Sequence, residues 1–92
     1  MELITKDKDA NLDYGFDWSA WLPQLPTPDI IVGSQWILPA DLTLTGESFD
    51  DTTTTVWISG GLVNQTYTIT NRITTNDGRI DDRSFLMRMT ER

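Results

Sequence analysis

The C-terminal part of the chain carries the pattern that most restricts its fold. Residues 64–75 and 79–89 alternate apolar and polar side chains, and Asn76-Asp77-Gly78 lies between them. An Asp-Gly pair between two alternating runs is a strong short-range signal for a β-hairpin. Because successive side chains point to opposite sides of a strand, each run has one apolar face. These faces are predicted to hold Tyr67, Ile69 and Ile73 in the first strand, and Phe85, Met87 and Met89 in the second.

The rest of the chain continues the β pattern. Alternation and β-branched composition predict further strands over 11–18, 30–38, 42–49 and 52–59, separated by Pro, Gly and Asp turn signals. In the strand over 30–38, the residues expected to point inward are Ile30, Val32, Trp36 and Leu38. Six or seven short strands with this spacing predict an all-β fold, an immunoglobulin-like β-sandwich of antiparallel strands.

The chain is predicted to contain a single domain. Residues 1–9 are charged and weakly patterned, so we interpret them as a flexible N-terminal arm or an edge segment. The sandwich is then expected to span residues 10–92. Tyr67 begins the penultimate strand, where sandwiches often place a tyrosine, and its predicted role is packing plus one hydrogen bond from its hydroxyl.

Composition excludes several classes of function. The 92 residues include no cysteine and no histidine, which excludes a disulfide framework, a thiolate metal site and the common nucleophile–histidine pairs. The aspartates lack the spacing of a calcium-binding loop and are interpreted as solvated turn carboxylates. We therefore expect a non-enzymatic protein with no cofactor and no metal. No apolar segment has the ~18–20 residues of a membrane span or the form of a signal peptide, so a soluble protein is expected.

Charge is distributed unevenly along the chain. The net charge is −7; residues 1–69 carry ten acids and two lysines, whereas residues 70–92 carry five arginines and four acids. An acidic chain repels phosphate, so nucleic acid is not an expected partner. The asymmetry is compatible with ordinary solvated strands, or with a C-terminal edge that docks on an acidic neighbour.

Candidate contact residues come from two features. A loop with three prolines over 23–28 is flanked by aromatic and aliphatic residues that either anchor in a partner's pocket or fold back over the open end of the sandwich. The C-terminal strand supplies the arginines. Trp57 alternates with Val56 and Ile58, so either the tryptophan or the two aliphatic residues must face out. The predicted partner-binding residues are Trp18, Trp21, Leu22, Leu25, Arg79, Arg83, Arg88 and Arg92.

An ordered series of segments resembles a known family. It comprises DYGFDWSAWL over 13–22, QWILPA over 35–40, TVWISGG over 55–61, YTITNRITT over 67–75 and GRIDDRSF over 78–85. In this order, and over nearly the whole chain, the series is similar to small tailed-phage proteins described as phage fibre–tail adaptor proteins. The proline-rich insert over 23–28 departs from the family pattern.

The resemblance implies a function without carrying over any catalytic residue. It implies a virion structural protein with an immunoglobulin-like fold, made in the cytoplasm of the bacterial host. Such a protein is expected to join tail, collar or fibre subunits by protein–protein contacts, in multiple copies within a symmetric assembly. A capsid decoration protein is an alternative. Another is a carbohydrate-binding module of a receptor-binding fibre, with Trp18 and Trp21 as stacking platforms.

Overall fold

The protein is described by a computed structural model that covers residues 3–7, 11–22 and 29–90. Alternating and β-branched residues form strands throughout these segments, and no helix in them is long and apolar enough to cross a membrane. The strands are β1 (Leu3–Asp7), β2 (Leu12–Asp17), β3 (Ile31–Ile37), β4 (Leu42–Phe49), β5 (Thr53–Gly60), β6 (Thr66–Thr75) and β7 (Ile80–Thr90).

The seven strands form two sheets that pack face to face. One sheet has the order β1-β7-β6-β3 and the other the order β2-β5-β4. In this arrangement β3, β6 and β7 correspond to strands C, F and G of an immunoglobulin domain, and β2, β4 and β5 correspond to strands B, D and E. The prediction of an all-β sandwich in one compact domain is confirmed.

The first strand differs from the sequence-based expectation. Residues 3–7, expected within a flexible arm or an edge segment, form an edge strand that pairs with β7, and the pairing is parallel rather than antiparallel. Lys6 is 1% exposed, and its ammonium donates a hydrogen bond to the carbonyl of Gly60 at 3.2 Å. A five-residue strand with a buried lysine lacks the repeated apolar alternation that identifies a strand in sequence. The remainder of the predicted arm lies outside the described residues.

The C-terminal hairpin supplies much of the core. All six residues predicted on its inner faces are at most 8% exposed, and Ile69 and Phe85 are direct cross-strand neighbours. The turn between the strands contains Gly78 in a left-handed conformation, with φ near +86°. Because only glycine adopts this conformation without steric penalty, the Asp-Gly signal identified the turn correctly.

The inward face of β3 was predicted in part incorrectly. Trp36 is buried as expected, but Val32 is 50% exposed and Ile31 occupies the core in its place. The register of β3 on β6 shifts between Ile31 and Gly33. Such a bulge adds one residue to a strand, which reverses the face of every position on one side of it. A strict two-residue period therefore fails across the bulge.

Tyr67 occupies the corner position of an immunoglobulin-type sandwich. Its hydroxyl accepts a hydrogen bond from the backbone N–H of Leu62 at 3.0 Å and donates one to the Asp41 carboxylate at 3.2 Å. The predicted hydroxyl contact is thus confirmed, with a second one added. Ile69 follows two residues later, where disulfide-bonded domains of this type place a cysteine. Here a fully buried aliphatic side chain fills that place.

Replacement of Tyr67 with phenylalanine is expected to lower the free energy of unfolding by about 1 kcal/mol, because two hydrogen bonds to the hydroxyl are lost. Tyr14→Phe is the matched control, since the Tyr14 hydroxyl is buried and has no hydrogen-bond partner among the described residues. Its removal is expected to leave stability unchanged or slightly higher. Urea unfolding followed by circular dichroism measures both. Equal losses in the two variants would contradict the role assigned to the Tyr67 hydroxyl.

Candidate partner-binding surfaces

The residues that flank the proline loop lie largely inside the molecule. Trp18 and Leu22 are 1% and 2% exposed and pack with Ile31 and Ile73 in a second core cluster. The Trp18 carbonyl accepts the backbone N–H groups of Trp21 and Leu22 at 2.9 and 3.1 Å, so residues 18–22 form a tight turn. For Trp18 and Leu22 the structure therefore agrees with the fold-back interpretation, and these two side chains are not exposed anchors.

A buried amide connects Trp18 to both sheets. Asn71 of β6 is fully buried, and its Oδ1 accepts hydrogen bonds from the Trp18 indole N–H at 3.1 Å and the Thr54 hydroxyl at 2.6 Å. Its Nδ2 donates to the Ser34 hydroxyl at 3.0 Å and the Gln35 carbonyl at 3.1 Å. Both donors and both acceptor positions of the amide are thus used. The sequence signal for this residue was available, because position 71 lies between Ile69 and Ile73 on the inward face of β6.

Arg83 closes the end of the sandwich over Trp18. Its guanidinium carbon lies 4.3 Å from the centroid of the Trp18 ring and 5.6 Å from that of Phe16. One guanidinium nitrogen also donates to the Asp17 carbonyl at 3.1 Å. Arg83 is paired with Asn71 in the register of β6 and β7, so it lies on the inward side of the sheet. The charge that was predicted to meet a partner is used here within the chain.

Arg79 is likewise engaged within the chain, at the turn between β6 and β7. It donates to the carboxylate of Asp29 at 2.9 Å, and Asp29 is 2% exposed. Asp29 also accepts the backbone N–H of Asp77 at 3.1 Å. Burial acts to raise the pKa of Asp29, but hydrogen bonds from the Thr75 hydroxyl, Asp77 and Arg79 outweigh burial and hold the pKa below its ordinary value.

The Asp29 contacts predict a pH-dependent loss of stability. Because its pKa is below the ordinary 3.8 in the folded chain, the carboxylate stabilises the fold above that value, and the contribution is lost as the pH falls through the folded pKa. Asp29→Asn is therefore expected to lower the urea midpoint at pH 7, with the difference from wild type shrinking at pH 3 and below. Glu47→Gln, at an exposed position of β4, removes the same charge and is the control. A difference that stays constant with pH would contradict the assignment.

The other predicted contact residues are distributed differently. Trp21 is half-buried and meets the Trp18 ring edge-on, with centroids 5.6 Å apart. Arg88 is exposed on the outer face of β7, in register with Thr5 and Thr66. Leu25 and Arg92 lie outside the described residues. Of the predicted residues that the structure describes, Trp21, Leu22 and Arg83 thus lie together around Trp18, whereas Arg88 lies on the outer face of β7.

The two outer sheet faces differ in what they present. On the four-stranded sheet, Arg72 and Asp82 form a bidentate ion pair, with nitrogen–oxygen distances of 2.8 and 2.9 Å. On the three-stranded sheet, Trp57 is 43% exposed while Val56 and Ile58 are fully buried. The sequence left the orientation of Trp57 open, and the pairing of β5 with both neighbours resolves it.

Comparison with known proteins identifies the family. A family model described as podophage GP4 fiber-tail adaptor protein gp77 matches residues 6–88. The chain belongs to this family. No curated protein matches it in sequence.

The match to the gp77 fiber-tail adaptor family confirms the family resemblance seen in the sequence. It covers part of β1, all of β2 to β6 and most of β7, and it includes every predicted contact residue except Arg92. The gp77 family consists of structural proteins of the virion, and the buried polar residues of this chain make internal contacts.

The carbohydrate alternative requires an exposed ring face at Trp18. Trp18 is 1% exposed, so it cannot serve as a stacking platform.

Proposed function

We propose that this protein joins the fibres to the tail of a podophage by protein–protein contacts, without catalysing a reaction. The observation that carries the proposal is the match to the gp77 fiber-tail adaptor family over residues 6–88. A compact sandwich stabilised by internal polar contacts supports it, since an adaptor must hold two partners at a constant spacing. The contacts are assigned to the outer faces of the sheets, because the predicted anchors Trp18 and Leu22 are buried.

The adaptor function is tested by removing the protein from particles. A phage with a nonsense codon in this gene, grown in a non-suppressing host, is expected to give particles with tails but without fibres. A plasmid copy of the wild-type gene should restore the fibres. Fibre-bearing particles formed without the protein would overturn the proposal.

Copy number separates an adaptor from a capsid decoration protein. Oligomers in such assemblies are symmetric, so an adaptor should be present in a small fixed number set by the tail. Quantitative mass spectrometry of purified particles measures its ratio to a known tail protein and to the major capsid protein. A copy number proportional to the capsid protein would favour the decoration alternative instead.

A further inference from the structure

Trp57 is an exposed aromatic residue on the middle strand of the three-stranded sheet. It lies on the middle strand β5, and its neighbours Val56 and Ile58 are fully buried. A slip of one residue would bury the indole and expose both aliphatic side chains. The outward position of Trp57 is therefore a consequence of the register that forms the core, and it leaves a large apolar ring on the surface.

The positions around Trp57 carry short side chains. Asp13 of β2 and Gly46 of β4 are its direct cross-strand neighbours. A Cβ atom at Gly46 would lie 3.4 Å from Cδ1 of the indole, so the ring leans over this glycine. Gly15 lies in the next row, where a Cβ atom would be 2.3 Å from the Thr54 carbonyl and has no room. The Trp57 ring is thus surrounded by short side chains and has the Asp13 carboxylate as its cross-strand neighbour.

Negative charge is concentrated in the segments that form the three-stranded sheet and its connections. The segments 11–22 and 39–65, which include all three strands of the sheet, contain six acidic residues and no lysine or arginine. The other described segments, which include the four-stranded sheet, contain five acidic and five basic residues. The sequence suggested an acidic part over residues 1–69. In the fold, the acidic excess belongs to the three-stranded sheet with its connections, and the segments of the four-stranded sheet are neutral.

We propose that the outer face around Trp57 binds a basic segment of another virion protein, with an arginine or lysine side chain over the indole and close to Asp13. This rests on the adaptor function proposed above. Tryptophan is the strongest aromatic partner for a cation, and an exposed tryptophan with complementary charge is typical of an interface centre. The chain contains the same type of contact internally, where Arg83 lies over Trp18.

The charge of this sheet favours a basic protein segment over a second copy of the chain or a glycan. A second copy that presents the same face would bring two acidic sheets together, which is unfavourable. A second copy that presents its neutral sheet gains little from the acidic residues. A glycan would use the ring but would not require the excess of carboxylates. A basic protein segment uses both features.

The test measures incorporation into particles when the nonsense phage is complemented by a plasmid that encodes a variant. Two variants of the Trp57 face are compared with two matched controls. Trp57→Thr is expected to reduce incorporation at least about tenfold, as for a central tryptophan of an interface. Asp13→Asn should reduce it less, and its effect should shrink as salt is raised. Ile80→Thr removes an exposed apolar residue from the other sheet. Glu47→Gln removes a charge from β4 at a position in register with the buried Val56, on the side of the sheet opposite Trp57. Both variants should incorporate normally. Circular dichroism of each purified variant checks folding.

Crosslinking identifies the occupant directly. Trp57→p-benzoylphenylalanine, irradiated in intact particles, is expected to crosslink to a virion protein at a peptide that contains arginine or lysine. The same replacement at Ile80 is the control. Normal incorporation of folded Trp57→Thr, a crosslink to a second copy, to a glycan or to a peptide without basic residues, or no crosslink in particles that contain the protein, would each overturn the inference.

The two proposals fail in different ways. Fibre-bearing particles formed without the protein would refute the adaptor function itself. If the protein is required for fibre attachment but the Trp57 and Asp13 variants assemble normally, only the assignment of this face is wrong.

Discussion

Replacement of Trp18 with alanine is expected to lower the free energy of unfolding by about 3–5 kcal/mol, the range for large aromatic residues removed from a core. The side chain is 1% exposed and packs in a cluster with Leu22, Ile31 and Ile73. The variant also loses the ring beneath Arg83 and the donor to Asn71. Urea unfolding at pH 7 measures the loss, and Trp18→Phe gives a milder variant if the alanine variant does not fold.

Trp57→Ala is the matched control for Trp18→Ala. It is the same substitution on the outer face of the three-stranded sheet, at a position that is 43% exposed. A surface substitution of this kind is expected to change stability by about 1 kcal/mol or less. The two substitutions should therefore affect different properties of the protein. Trp18→Ala should reduce stability, and Trp57→Ala should reduce incorporation into particles. A similar loss of stability in both variants would contradict the assigned burial.

Replacement of Asn71 with alanine is expected to lower the free energy of unfolding by about 3 kcal/mol, the upper end for a buried group left without its partner. The substitution removes four hydrogen bonds at once. It leaves the Trp18 indole N–H with only the longer contact to the Thr54 hydroxyl, at 3.3 Å, and takes the amide from the Gln35 carbonyl, both in a low-dielectric interior. Each of these groups then pays part of its desolvation penalty. Urea unfolding again gives the measurement.

Asn76→Ala is the control for Asn71→Ala, because Asn76 is an exposed residue of the adjoining turn. It is expected to have little effect on stability. The Trp18 and Asn71 substitutions should not be additive, since the two side chains share a hydrogen bond at 3.1 Å. A double-mutant cycle is expected to give a coupling energy of about 0.5–3 kcal/mol. Strict additivity would show that the network does not act as a unit.

Much of the fold was predictable because its signals are local. The alternation in β6 and β7, the Asp-Gly turn and the tyrosine at the start of β6 were each predicted from a few neighbouring residues, and all are confirmed. The errors arose where a non-local contact overrides the local pattern. The bulge at Val32 is defined only by pairing with β6, and β1 is defined only by pairing with β7.

The candidate site was less predictable for the same reason. Trp18 and Leu22 were selected for their composition beside a proline loop, but their burial depends on Ile31 and Ile73, which come from distant parts of the chain. Arg79 and Arg83 were selected as cations that could bind a partner. Arg79 instead forms an ion pair with Asp29, and Arg83 lies over the Trp18 ring. Trp57, by contrast, could not be assigned to the outer face until the pairing of β5 was known.

Residue order and the two-residue period of a strand were sufficient to predict the all-β class, the closing hairpin, the tyrosine corner and the family. Three-dimensional packing decided which tryptophan is buried and which is exposed. It also decided what Asn71 binds and how charge divides between the sheets. Those properties depend on contacts between residues far apart in the chain, and side-chain alternation specifies two faces of a strand without specifying what each face will meet.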